Sequence, residues 1–253
     1  MIAFIPAPIA ADIPSRFPSP FDRAAVPAIA RRAVDEMRAF LTSRAGERLG
    51  FDRPGGGKML GVLVVEAPDG TIGYLRAFSG MLHGAWDVEG WAPPAFDAAA
   101  WDAERFDGRA NDHEDDPHVR ATRSRELLPL VQAAYRFTNA RGEVRSLRDL
   151  FAPAEPPGGA GDCAGPKLLA QAYRLGLRPL ALAEFWWGAP PRSGDRHAGA
   201  FYAACRGKCA PILAHMLDGL PADPMPVFGA SPFDDSQPVI VYEDAELIIV
   251  DKP

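Results

Sequence analysis

The sequence has few cysteines, and they are not spread along the chain. Only three occur in 253 residues, all between positions 163 and 209. An odd number of cysteines argues against a disulfide framework and for a reducing compartment. The first sixteen residues are apolar, but they lack a charged start and Pro6 and Pro8 interrupt them, so they do not resemble a signal peptide. We therefore expect a cytoplasmic protein.

Positive charge and long apolar runs are also scarce. The chain has 27 Lys and Arg against 33 Asp and Glu, a net charge of −6. No general basic field would attract nucleic acid, so any RNA contact must come from a local patch or from sequence outside this chain. No window reaches the roughly 18 to 20 apolar residues of a membrane span, and no membrane partner is expected. At 47% hydrophobic, the composition is that of a globular protein with a sizeable core.

The hydrophobic pattern predicts an α/β fold. Residues 24–44 have the spacing of an amphipathic helix with one buried face. Met59–Val65 and Thr71–Phe78 flank a Pro-Asp-Gly turn and predict a β-hairpin. Residues 164–219 predict a helix, a buried strand and a second helix. We expect these elements to pack in layers in an N-terminal domain.

Proline-rich sequence divides the chain. Residues 219–238 are rich in proline and small residues, and we predict that they link two domains. The predicted N-terminal domain spans residues 1–218, with its cysteines in 158–218. Residues 239–253 then predict the opening β-hairpin of a second, incomplete domain.

The three cysteines mark a candidate metal site. Cys163 precedes a helix whose first turn holds Pro166, and Cys205 and Cys209 precede a helix start marked by Pro211. Helix N-termini favour thiolate over thiol. Two such loops at one edge of a sheet could bring three sulfur atoms to one Zn²⁺, with His197 as the fourth ligand. The predicted metal ligands are therefore Cys163, Cys205, Cys209 and His197.

Simpler interpretations compete with this site. The cysteines could be inert core thiols, which are common, a redox pair, or part of a catalytic centre. Residues 112–116 are acidic, and His113 and His118 lie in or beside them. We interpret this segment as a solvated loop in preference to a metal site. Residues 55–58 favour a plain loop over a phosphate cradle, because they lead into a strand. Residues 185–187 are Phe-Trp-Trp. Such aromatic side chains could stack on nucleic-acid bases, but at the end of a buried strand we expect them in the core.

Residues 158–219 resemble the zinc-dependent nucleobase deaminases. In that fold His-x-Glu or Cys-x-Glu opens one helix and Pro-Cys-x-x-Cys opens the next. Here Gly165 stands where the catalytic glutamate would follow Cys163, Ala204 replaces the proline, and the second pair is Cys-x₃-Cys. Without that glutamate the resemblance implies no proton shuttle for a zinc-bound water.

The last residues, "VIVYEDAELIIVDKP", resemble the start of the catalytic domain in the RluA-type family of RNA pseudouridine synthases. The phrases "GDCAGPKLL", "LALAEFWWG" and "ACRGKCAPIL" resemble an N-terminal extension of its larger members. The resemblance implies isomerisation of uridine to pseudouridine in rRNA or tRNA, without a cofactor for catalysis. The family's His-Arg-Leu-Asp motif does not occur in these residues, so no catalytic residue is assigned and this chain alone is expected to be inactive.

Three hypotheses follow. The chain is an accessory domain of an RNA-modifying enzyme, joined to the start of its catalytic domain. Alternatively it is a freestanding binding or structural module on a degenerate deaminase-like unit, with or without zinc. The third hypothesis is an independent zinc hydrolase or deaminase, against which the missing glutamate counts.

Overall fold

The computed structural model describes residues 1–22, 24, 26–96, 116–191, 193–225, 239–243 and 248–251. The helices are α1 (Ala28–Leu41), α2 (Arg44–Glu47), α3 (Pro117–Ala134), α4 (Leu147–Phe151), α5 (Ala164–Arg174) and α6 (Arg206–Met216). The strands are β1 (Ile2–Ala3), β2 (Lys58–Glu66), β3 (Ile72–Phe78), β4 (Arg136–Thr138), β5 (Val144–Ser146), β6 (Arg178–Trp187), β7 (Phe201–Tyr202), β8 (Val239–Glu243) and β9 (Ile248–Asp251).

A five-stranded sheet organises the domain. Its strands run in the order β1, β3, β2, β6, β7, and neighbouring strands are antiparallel. The predicted hairpin is present as β2 and β3, and the predicted helix–strand–helix unit as α5, β6 and α6. The predicted α/β class is therefore confirmed, as a mixed fold with an antiparallel sheet.

Helices cover both faces of the sheet. Successive strand residues point to opposite faces, and β2 alternates accordingly. Leu60, Val62 and Val64 belong to the core under α1, whereas Leu63 and Val65 belong to the core under α5 and α6. Because helices cover both sides of the sheet at this central strand, both faces of β2 are buried, which explains its nearly continuous apolar sequence.

A glycine lets α5 approach the sheet closely. A Cβ atom at Gly61 of β2 would lie 2.9 Å from the Cβ of Ala164 and 2.9 Å from Cδ1 of Leu168. The first turns of α5 thus rest directly on the β2 backbone. This contact fixes the distance between the sheet and the N-terminus of α5, where Cys163 lies.

A smaller lobe carries α3, the β4–β5 hairpin and α4. The hairpin turns at Arg141-Gly142, and α3 begins at Pro117. Phe137 and Leu147 are fully buried in the core beside α6. The His215 ring of α6 contacts the Phe137 carbonyl through Nε2 at 3.0 Å. These contacts attach the lobe to the main domain.

The end of the described domain folds back on its start. The Phe17 N–H donates to the Pro221 carbonyl and the Asp223 N–H donates to the Phe17 carbonyl, both at 2.8 Å. Residues 226–238 of the predicted linker lie outside the described residues. Beyond them β8 and β9 pair with each other in an antiparallel hairpin. The domain boundary itself stays a prediction.

Within the described ranges, no helix combines the length and the apolar character that a membrane span requires.

Candidate metal centre

Two helix starts carry the three cysteines. Cys163 is the N-cap residue of α5, and Cys205 is the N-cap residue of α6. Cys209 follows Cys205 by four residues, and side chains at i and i+4 lie on one face of a helix. A Cys-x₃-Cys spacing therefore places both α6 sulfurs together, with the Cys209 side chain directed back toward the helix start.

The three sulfur atoms converge. All three Sγ atoms lie within 4.8 Å of one another, and the Sγ atoms of Cys205 and Cys209 are 3.4 Å apart. A tetrahedral zinc ion with Zn–S bonds of about 2.3 Å places its sulfurs about 3.8 Å apart. A disulfide would need about 2.05 Å. The predicted convergence of the three cysteines is confirmed, at a spacing compatible with a metal ion.

His197 does not share this spacing. It is exposed in the loop before β7, and its backbone N–H donates to the Tyr202 hydroxyl at 2.9 Å. Among the described residues, the converging group consists of the three cysteines without a histidine. His197 as fourth ligand therefore stays a prediction that this geometry does not support.

Hydrogen bonding among the three thiols shifts their pKa values in opposite directions. Hydrogen bonds with Cys163 and Cys209 lower the pKa of Cys205. The hydrogen bond with Cys205 raises the pKa of Cys163, and the hydrogen bonds with Cys163 and Cys205 raise the pKa of Cys209. The arrangement therefore favours negative charge on Cys205 over the other two sulfurs. Because a metal ion binds thiolates, its binding must release the protons of the cysteines that are still thiols.

Glu184 is a buried carboxyl group beside the cysteines. It lies on β6 and is only 7% exposed, and its Oε1 accepts a hydrogen bond from the Gly165 N–H at 3.1 Å. Burial raises its pKa to about 7, against the lowering effect of that bond, and the Cys205 charge adds to the rise. Glu184 thus serves as an N-terminal cap of α5 supplied by a neighbouring strand, and it positions the helix start that carries Cys163.

Lys167 ties the same helix start to β3. Its ammonium group is fully buried and donates to the carbonyl oxygens of Phe78 at 3.1 Å and Gly80 at 2.6 Å. Burial lowers its pKa to about 8. Asp162, next to Cys163, accepts from the Tyr135 hydroxyl, and burial raises the pKa of this carboxyl group. Buried polar groups therefore hold the Cys163 loop on both sides.

Sequence patterns had not singled out Glu184 or Lys167 as site residues. The available signal was a lone charge in an apolar segment: Glu184 interrupts "LALAEFWW", and Lys167 precedes Leu168 and Leu169 on the buried face of α5. Such charges are rarely fully buried without partners. The partners themselves depend on tertiary packing.

Gly165 is closely packed at the start of α5. A Cβ atom there would lie 3.3 Å from Cδ2 of Leu182, 3.6 Å from Cδ2 of Leu213 and 3.7 Å from the Glu184 carboxyl. A side chain at position 165 would therefore contact Glu184 and require a small shift of Leu182. The carboxyl group that contacts this helix start belongs to Glu184 of β6.

The remaining candidates have local explanations. A Cβ atom at Gly57 would lie 1.8 Å from the Ala189 carbonyl oxygen, so close packing requires this glycine. Phe185 is fully buried in the core, and the Trp186 indole N–H donates to the Ala189 carbonyl at 3.1 Å. His118 is exposed on the first turn of α3, and His113 lies outside the described residues.

Comparison with protein-family models, curated proteins and solved structures found no match to this chain. The two family resemblances in the sequence therefore remain predictions.

Proposed function

We propose that residues 1–218 form a zinc-stabilised accessory domain of an RNA pseudouridine synthase. The observation that carries the zinc assignment is the convergence of the Cys163, Cys205 and Cys209 sulfur atoms. Thiolates are preferred ligands of structural zinc. The assignment to an RNA-modifying enzyme depends on the sequence resemblance.

A structural role for zinc follows from where the ligands lie. Cys163 and Cys209 are half-buried and buried, and they belong to the two helices that pack on one face of the sheet. A shared ion would join the start of α5 to the start of α6. Metal binding to preformed ligands adds its free energy to that of folding. The exposed Cys205 leaves a side from which water or another ligand can complete the coordination.

The metal assignment is tested by the zinc content. Protein purified without chelators is expected to contain about one equivalent of zinc, and a Cys205→Ala/Cys209→Ala variant is expected to lose it. The His197→Ala variant tests the fourth position, and retained zinc would remove His197 from the ligand set. Wild-type protein that is free of metal and no less stable than protein reconstituted with zinc would show that the cysteines are core thiols.

The enzyme assignment is supported by the last segment of the sequence. Val241-Tyr242-Glu243-Asp244 and Ile249-Val250-Asp251-Lys252-Pro253 resemble the strand, acidic turn and strand of the RluA-type catalytic domain. In agreement with that pattern, β8 and β9 pair as an antiparallel hairpin. In the complete enzyme an aspartate carboxylate would act on the ribosyl–uracil linkage of a flipped uridine.

This assignment is tested at the gene and in an assay. The reading frame is expected to encode a His-Arg-Leu-Asp motif downstream of Lys252-Pro253. Protein that includes the motif should release tritium from C5-labelled uridine in RNA, and its Asp→Asn variant should not. The 253-residue chain alone should release none. A frame without the motif, or turnover by this chain alone, would contradict the assignment.

The second candidate is a freestanding deaminase-like module with a structural metal. The observation that favours it is the chain order: a helix, a hairpin and then α5, β6 and α6, with cysteines at the last two helix starts. Both candidates predict zinc. The gene sequence separates them, since only the first requires a catalytic motif.

A further inference from the structure

Positive charge is concentrated in one segment of this acidic chain. Residues 117–148 contain seven arginines and two glutamates, a net charge of +5. The remainder has 20 basic and 31 acidic side chains, a net charge of −11. The segment is sharply bounded, because residues 97–116 contain eight acidic and two basic side chains. An asymmetry of this size indicates a polyanion-binding surface.

The structure brings these arginines to one exposed lobe. Three lie on α3 and four on the β4–β5 hairpin and α4, and all seven are exposed: Arg120, Arg123, Arg125, Arg136, Arg141, Arg145 and Arg148. Residues 117–126 are exposed on every side of α3, so the first half of this helix projects into solvent. We call these seven side chains the arginine surface.

Three members of the arginine surface, Arg125, Arg136 and Arg141, make contacts that neutralise little of their charge. The Arg125 guanidinium donates to the Ala121 carbonyl and the Thr122 hydroxyl, and the Arg136 guanidinium donates to two backbone carbonyls. These partners are neutral. Arg141 pairs with Asp218, but their side chains are 61% and 50% exposed, and exposed pairs contribute little.

The hairpin arginines act together. The pKa of Asp149 on α4 is lowered, first by hydrogen bonds from Ser146 and then by the charges of Arg136 and Arg145. Both guanidinium groups are therefore close enough to influence one anion. All seven basic residues are arginine, whose planar fork matches two oxygens of a phosphate group.

We propose that the arginine surface binds the phosphate backbone of RNA. The exposed arginines and their net charge favour a phosphate backbone as the polyanion, and the choice of RNA over DNA rests on the proposed function. RNA contact by this domain would hold the substrate on the accessory part of the enzyme, at a site separate from the cysteines.

The test measures binding of a fluorescein-labelled RNA hairpin of about 30 nucleotides by anisotropy, over a range of salt concentrations. The Arg120→Gln/Arg123→Gln/Arg125→Gln variant removes the α3 charges. A control variant, Arg44→Gln/Arg48→Gln/Arg53→Gln, removes three exposed arginines elsewhere on the domain. Circular dichroism checks the fold of each variant, and Arg145→Gln/Arg148→Gln replaces the helix variant if that one does not fold.

The wild type is expected to bind RNA more weakly as salt rises. The α3 variant should lose at least tenfold in affinity at low salt, and its salt slope should fall by about two to three, since each phosphate contact contributes about 0.7 to 0.9. The control variant should stay within about twofold of the wild type. Absence of binding at low salt, or equal affinities of the α3 and control variants, would overturn the proposal.

Two further arms test the ligand. Equal affinity for a DNA hairpin of the same sequence would overturn the choice of RNA, and displacement of RNA by poly-L-glutamate at equal charge concentration would point to an acidic protein instead. Tritium release from C5-labelled uridine is measured separately, with protein that includes the expected His-Arg-Leu-Asp motif. Retained release with unchanged RNA affinity in the α3 variant would therefore reject the surface and leave the enzyme assignment standing.

Discussion

At the residue scale, the cysteine site combines three sulfur atoms with one buried carboxyl group. Glu184 accepts a hydrogen bond from Gly165 at the helix start that carries Cys163. Its pKa is raised from 4.5 to about 7, chiefly by burial. The folded protein therefore holds a proton on Glu184 between about pH 4.5 and 7, where the unfolded chain has released it.

A Glu184→Gln variant should reveal this proton. Because the folded state binds more protons in that window, the wild type loses stability as pH rises from about 4.5 to 7. The glutamine amide keeps an acceptor for Gly165 and does not ionise. The free energy of unfolding of the variant, relative to the wild type, should increase by about 2 to 3 kcal/mol between pH 5 and 7.5, at about 1.4 kcal/mol per pKa unit.

Urea unfolding of chelator-treated protein at the two pH values measures this difference. Exposed Glu155→Gln is the control for loss of a carboxyl group outside the core. If the free energy of unfolding differs between Glu184→Gln and the wild type by the same amount at both pH values, the raised pKa of Glu184 is contradicted.

At the scale of single elements, the position of α5 depends on Gly61. The first turns of this helix contact the β2 backbone where a Cβ atom would lie 2.9 Å from Ala164 and from Leu168. Any side chain at position 61 must push α5 away from the sheet. That movement would also displace Cys163 from the other two sulfur atoms.

We expect Gly61→Ala to lower the free energy of unfolding by about 1 to 3 kcal/mol, the usual cost of overpacking a core. Gly207 on α6 is the matched control, since a Cβ atom there meets nothing within 4 Å. Gly207→Ala should be neutral or stabilising by up to about 1 kcal/mol, because alanine favours helix over glycine. Equal effects of the two substitutions in urea unfolding would contradict the close approach of α5.

The elements that were predicted from sequence are those with local signals. Apolar spacing marks α1, and a Pro-Asp-Gly turn marks the β2–β3 hairpin. Pro166 correctly places Cys163 at the start of α5. The prediction that the next helix starts at Pro211 is wrong: α6 begins at Arg206 and contains Pro211, so Cys205 is its N-cap residue and Cys209 lies inside the helix. The roles of Glu184 and Lys167 could not be read in this way, because their partners lie 19 and 87 or more residues away in the chain. The position of His197 likewise depends on the path of a loop.

At the scale of the whole molecule, one sheet separates two cores and carries the cysteine site at one end of α5 and α6. The opposite charges of residues 117–148 and the rest of the chain give the molecule a basic lobe on an acidic body. The net charge of −6 for the whole chain conceals this separation. A zinc ion that joins two helix starts would stabilise the face of the sheet to which that lobe is attached.

The central claim, that three cysteines hold one zinc ion, is tested most directly by X-ray absorption at the zinc edge. Protein purified without chelators is expected to show three sulfur neighbours at about 2.3 Å and one lighter neighbour. A zinc shell without sulfur, or protein that takes up no zinc on reconstitution, would contradict the claim.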